Sequence, residues 1–339
     1  MNLIERGISL KGYNTFGIEA VAEQFAVIDS PEKLLLIVKS GVLTENKVVI
    51  LGNGSNVLFV NSVVHGLVLL NRIGGTAIVK EDEKSVVIET GSGENWSRFV
   101  DYTVEKSLWG LENLSLIPGT AGAAPVQNIG AFGVEQKDSF QYLKAFNLST
   151  GELKKFNNLE CRFGYRKSFF KKPENRMWFV VSAAYKLSKL PKPILGYGRL
   201  KEKFAKRENI SAKEISVFIK KIRERNIPDV NEYGNAGSFF KNPEIDAGKL
   251  KKLQEKFNSV PFYRIDHKTV KIPAAWLIEQ CGWKGKRTGN AGVSKSHALI
   301  LVNYGGATGQ EILTLSKKIK NDVYLKFGID LEPEVNIIN

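Results

Sequence analysis

Apolar positions along the chain switch between helical and extended spacing, with no repeating unit. Ser30-Pro31 reads as an N-cap followed by proline at the first helical position, and the KLLLIVKS run behind it predicts a helix closing at Gly41. Val48–Leu51 predicts a strand feeding the turn Gly52-Asn53-Gly54, and Ser85–Thr90 predicts another feeding Gly91-Ser92-Gly93. Trp96, Phe99, Val100 and Val104 then share one face of a helix. Further on, Ser211 and Glu214 have the spacing of a capping box ahead of an apolar stripe at Ile215, Phe218, Ile219 and Ile222. A second box, Thr308 with Glu311, opens a long amphipathic helix that stops near Gly328. Between them Pro273 begins a helix, AAWLIEQC, that ends at Gly282. Residues 110–133, mostly glycine, alanine and proline, are too irregular for a long helix or a central strand.

A chain of 339 residues predicts two or three domains rather than one core. The polar stretch near 200–226 is the expected boundary, and a last strand, Leu331–Ile338, is expected to return to the first part of the chain. No apolar run reaches the ~18 residues of a membrane span. Charges are scattered through MNLIERGISLKGYNTFG, which excludes a signal peptide, so a cytoplasmic protein without membrane association is expected. Cys161 and Cys281 provide no disulfide framework, and three separated histidines give no metal site. The net charge of +14 is uneven: residues 154–225 hold 21 Lys and Arg against 6 Asp and Glu. Such a segment suits anionic ligands, or nucleic acid as a second class, though no helix-turn-helix, zinc-finger or RNP pattern accompanies it.

VVILGNGSNVLF invites a dinucleotide-fingerprint reading and fails it. The third glycine position is Val57, no helical pattern follows, and no acidic residue stands about 20 positions on. No P-loop occurs either. Three glycine loops do recur, at 52–56, 91–93 and 118–133. Backbone amides in such loops can form anion nests, and missing side chains let the main chain approach a diphosphate or flat ring. Spacing alone does not identify the ligand.

The segments YNTFGI (13–18), ILGNGSNVLF (50–59), GSGENW (91–96) and GLENLSLIPGTAGAAPVQNIGAFGVE (110–135) resemble the flavin-binding half of the UDP-N-acetylenolpyruvoylglucosamine reductase family. ECRFGYRKS (160–168), GNAGSFFKNP (234–243), AAWLIEQCGWKG (274–285) and LEPEV (331–335) resemble its substrate-binding and catalytic segments, in the same order. The resemblance implies an α+β protein. Its FAD-binding domain would be of the vanillyl-alcohol-oxidase (PCMH) type, with lobes at 1–75 and 76–210, followed by a substrate-binding domain at 211–328 and a returning strand at 329–339.

It also implies non-covalent FAD, NADPH as co-substrate, and reduction of UDP-N-acetylglucosamine enolpyruvate to UDP-N-acetylmuramate by a monomeric enzyme of peptidoglycan-precursor synthesis. Such chemistry needs a hydride carrier, stabilisation of a developing enolate, and a proton donor. By family position, Ser238 is the proton donor, Arg166 the stabilising cation and Glu334 the assisting carboxylate. Gly52, Asn53, Gly54, Ser55, Asn56, Gly119, Gly122, Asn128 and Gly130 are the implied cofactor-binding residues. Tyr197, on a loop that closes over the UDP group, Asn242 and His297 are the implied substrate contacts. Taken singly, each has a plain structural reading: Ser238 as a strand residue, Arg166 as one more cation, Glu334 as a surface carboxylate. One position departs from the family pattern, because Asn226 stands where a lysine is usual. A related flavin oxidase would share the cofactor fold but not the GNAGSFFKNP and LEPEV segments.

Overall fold

The helix caps stand where the sequence puts them. Ser30 Oγ accepts the Lys33 amide at 3.2 Å, opening a helix over Pro31–Lys39. Ser211 and Glu214 exchange side-chain and backbone bonds at the head of Ala212–Asn226. Thr308 and Glu311 do the same for Gly309–Phe327, which stops at left-handed Gly328. Each box satisfies amides that the first helical turn leaves without partners. The computed structural model describes residues 3–43 and 47–339. The chain divides into two compact units.

The first unit comprises Met1–Ile8, Ala22–Asn53 and His65–Arg223. It is built on a five-stranded antiparallel sheet in the order Leu153–Asn157, Phe140–Asn147, Trp178–Ser188, Ser85–Gly91, Thr76–Glu81. The helix Trp96–Glu105 packs Trp96, Phe99, Val100 and Val104 into its core, the face its spacing predicted. Trp96, Phe99 and Tyr185 meet there at centroid separations of 5.5–5.9 Å. In a second sheet Val48–Leu51 runs parallel to Val63–Asn71, and Leu34 and Ile37 of the first helix join Leu67 and Leu69 in a separate cluster. The glycine-rich stretch after residue 110 holds only short pieces: Glu112–Leu114, Ala123–Gln127 and Gly130–Ala131.

The second unit comprises Ser9–Val21, Gly54–Val64 and Glu224–Asn339. Two segments of the first 75 residues therefore belong with the C-terminal part. Its main sheet is antiparallel, in the order Gly234–Ser238, Ile300–Asn303, Ala291–Val293, Arg287–Thr288. The final strand is Asn336–Ile338, shorter than predicted, and it pairs in parallel with Val57–Phe59. The residues before it form only an isolated bridge, Pro333 to Phe240, closed by the Glu334 amide on the Phe239 carbonyl and the Lys241 amide on the Glu332 carbonyl. Both units mix helix with sheet, as an α+β class requires. Among the described residues no helix is long and apolar enough to cross a membrane, and no group of three metal-binding side chains occurs.

Candidate active site

In the first unit the start of the first glycine loop, Gly52-Asn53, meets the other two loops. Asn53 Nδ2 donates to the Gly119 carbonyl at 3.0 Å, and the Gly122 amide donates to the Ser92 carbonyl at 2.9 Å. A Cβ on Gly52 would lie 2.8 Å from Thr120 Oγ1, and one on Gly122 would lie 2.5 Å from Ser92 Cβ. Glycine is thus required for loops to pack on one another. Arg72 adds a tie that sequence reasoning missed, donating to the Gly52 carbonyl and to Asn53 Oδ1. No motif around Arg72 marks this role.

Arg166 lies in the same unit, in a tight turn where Gly164 and Lys167 exchange both backbone bonds. Its own backbone is left-handed (φ 52°). The guanidinium returns to the loop before it, donating through Nη2 to the Gly130 carbonyl (2.6 Å) and through Nη1 to the Asn128 carbonyl (3.5 Å). A second cation, half-buried Arg223, donates through Nε to the Leu116 carbonyl. Burial, then the charge of Arg166, lowers the Arg223 guanidinium to about 10. Tyr197 precedes the short helix Gly198–Phe204, and its ring meets Phe132 edge-on at 6.4 Å. Asn113 clamps both sides of this contact, donating to the carbonyls of Phe132 (3.0 Å) and Ile194 (2.9 Å).

The second unit brings Ser238 and Glu334 onto neighbouring segments. The register between Gly234–Ser238 and Ile300–Asn303 shifts between Asn235 and Ser238, a bulge with left-handed Gly237 (φ 67°) inside it. Buried Asn235 holds this bulge: Oδ1 accepts the Gly237 amide, and Nδ2 donates to the carbonyls of Pro228 and Tyr233. Bulges re-aim side chains, and here Ser238 is exposed while Phe239 and Phe240 are both buried. The Glu334 amide donates to the Phe239 carbonyl at 2.7 Å, and the Lys241 amide donates to the Glu332 carbonyl at 2.9 Å. From the other side Asn56 Nδ2 donates to the Glu334 carbonyl at 3.2 Å.

Gly54, Ser55 and Asn56 thus lie in the second unit, apart from Gly52 and Asn53 in the division of the chain. Asn242 Oδ1 accepts the Ala274 amide at 2.9 Å, capping the helix Ala274–Gln280. His297 lies in the turn before Ile300–Asn303, and its Nδ1 accepts the Leu299 amide at 3.2 Å. That bond suits the neutral ring with its proton on Nε2. Burial lowers the His297 pKa, Glu279 opposing and Lys284 assisting. The Asn226 carbonyl accepts the hydroxyl of Ser296, next to His297.

Residues 22–157 match the FAD binding domain family, and residues 229–338 match the family described as UDP-N-acetylenolpyruvoylglucosamine reductase, C-terminal domain. A UDP-N-acetylenolpyruvoylglucosamine reductase of Flavobacterium johnsoniae is 47% identical across 99% of both chains. One of Bacteroides fragilis is 43% identical, across 99% of this chain and 100% of its own. Among solved structures, the UDP-N-acetylenolpyruvylglucosamine reductase of Thermus caldophilus aligns with a TM-score of 0.69 at 25% identity, covering 99% of each chain.

Proposed function

Because the chain belongs to the UDP-N-acetylenolpyruvoylglucosamine reductase family, we infer that it reduces the enolpyruvyl ether of UDP-N-acetylglucosamine enolpyruvate to UDP-N-acetylmuramate, a step of peptidoglycan-precursor synthesis. The reading takes it as a cytoplasmic monomer acting on a small molecule, with no nucleic-acid or membrane partner. The observation that carries the reading is the full-length relationship at 47% identity. FAD as the resident cofactor is supported by the match of residues 22–157 to the FAD binding domain family, the stretch in which loops 52–53, 91–93 and 119–122 converge. The chemistry that FAD supplies when bound is hydride transfer, from NADPH to the enolpyruvyl group.

The protein's own groups do the rest. Hydride addition to an alkene conjugated with a carboxylate builds negative charge toward that carboxylate. A guanidinium presents a fixed charge and a planar fork to such a group, the role assigned to Arg166. Ser238 delivers the proton to the neighbouring carbon through its hydroxyl, and Glu334 assists that delivery. The bulge that turns Ser238 outward and the Glu334–Phe239 bond support this pairing. Tyr197, Asn242 and His297 are assigned to the substrate. Asn242 does so with its Nδ2 side, because its Oδ1 caps a helix.

The test is direct. The purified protein is expected to be yellow, to release FAD on denaturation, and to oxidise NADPH beyond one equivalent per flavin only when the enolpyruvyl nucleotide is present. A colourless protein whose nucleic-acid affinity falls steeply with salt overturns the reading.

A further inference from the structure

Asn128 stands among the residues expected to touch the cofactor, yet its surroundings assign it other work. It is fully buried and ends the Ala123–Gln127 helix in a left-handed conformation (φ 45°, ψ 61°). Its Nδ2 donates to Glu135 Oε2 at 3.0 Å and to the Gly164 carbonyl at 2.9 Å. Its Oδ1 accepts Gln136 Nε2 at 3.1 Å. A carboxamide has two N–H donors, so both are taken up inside the protein.

The Gly164 partner begins the turn that carries Arg166, and Lys167 closes it with two bonds of 3.0 Å. The Arg166 guanidinium then folds back onto the carbonyl of Asn128 itself and onto that of Gly130. Asn128 therefore grips the base of the turn with its side chain and receives the tip of the arginine with its backbone. The bonds to the Asn128 and Gly130 carbonyls hold the guanidinium against the opposing charge of Arg223. We propose that Asn128 is a positioning residue that fixes the Arg166 guanidinium for the substrate step, rather than a ligand of the cofactor. The inference rests on the assignment of Arg166 to that step.

Asn128→Gly is the informative variant: glycine tolerates the left-handed backbone, so only the side-chain bonds are lost. Three quantities are measured: FAD dissociation, flavin reduction by NADPH, and single-turnover reoxidation by the enolpyruvyl nucleotide. The expected result is FAD affinity within about threefold of wild type, unchanged reduction, and reoxidation slowed about 10–100-fold. Combined with Arg166→Lys, the loss is expected not to multiply, since both act through one group. Should Asn128→Gly fail to fold, Gln136→Met removes only the bond to Oδ1, with an expected loss of about 3–10-fold in the same step alone. Equal slowing of both half-reactions, multiplying losses, or weakened FAD binding with a normal substrate step overturns the proposal. A wild-type enzyme that reduces its flavin with NADPH but does not pass the electrons to the nucleotide sinks the functional reading, and this inference with it.

Discussion

The amide of Glu334 donates to the carbonyl of Phe239 at 2.7 Å, binding a carboxylate from the end of the chain to the residue beside Ser238. Asn56 grips the carbonyl of the same glutamate, and the strand after it pairs with Val57–Phe59. Backbone bonds thus fix where the Glu334 and Ser238 side chains start, so a change in either side chain tests chemistry rather than folding.

Ser238→Ala is expected to leave flavin reduction by NADPH intact and to slow the enolpyruvyl-dependent step about 10²–10⁴-fold, the usual worth of a general acid. Ser238 is exposed, so its truncation should leave the denaturation midpoint unmoved. Stopped-flow absorbance separates the two half-reactions. Unchanged turnover removes Ser238 from the mechanism.

Gly237→Ala tests the bulge that aims Ser238. No heavy atom lies within 4 Å of the added Cβ, so the cost comes from holding alanine at φ 67°. About 1–2 kcal/mol of stability should be lost, read by urea denaturation. The substrate step should slow as well, because the bulge relaxes. A stability loss with normal turnover would separate the bulge from Ser238.

The two capping boxes and the Ser30-Pro31 start were legible because a cap is a local bond, completed within four residues. The family resemblance and the α+β class were legible too, and the full-length relatives bear them out. The glycine loops were visible as a set, but not the reason for each glycine: Gly52 makes room for Thr120 and Gly122 for Ser92, partners distant in sequence. Nothing local told that Asn56 reaches Glu334 or that the Asn128 side chain is enclosed by Glu135, Gln136 and Gly164. An asparagine two residues from a glycine looks alike whether it faces a ligand or braces a turn. The last strand was overread because Leu331, Val335 and Ile337 fall on alternating positions, while the ladder begins only at Asn336 and the residues before it hold a single bridge.

His297 gives a pH dependence. Its ordinary value is 6.5, and burial favours the neutral ring in the folded protein. As pH falls through 6.5 the unfolded chain takes up a proton before the folded one does, so stability is complete above that value and is lost below it, toward the lowered folded pKa. His297→Gln should flatten this loss between the two values, measured as urea midpoints across mildly acidic pH. An unchanged slope would assign the acid sensitivity to other groups.

Lys241 and Glu332 form an ion pair with unequal surroundings: the lysine side chain is 9% exposed and the glutamate 66%. The two ends should therefore respond differently. Lys241→Met leaves behind a carboxylate that water already reaches, and an apolar stem of similar length fills the buried space, so the cost should be at most about 1 kcal/mol. Glu332→Gln leaves a largely buried ammonium without its counter-charge, so it should cost more than Lys241→Met, but less than the loss from a pair buried on both sides because water reaches the glutamate end. The backbone bond between Lys241 and Glu332 persists in both variants, as does the Glu334–Phe239 bond two residues on. Any loss of turnover in Lys241→Met should then be small and appear in kcat with KM unchanged. Equal destabilisation by the two variants would mean that the pair acts as an ordinary surface contact.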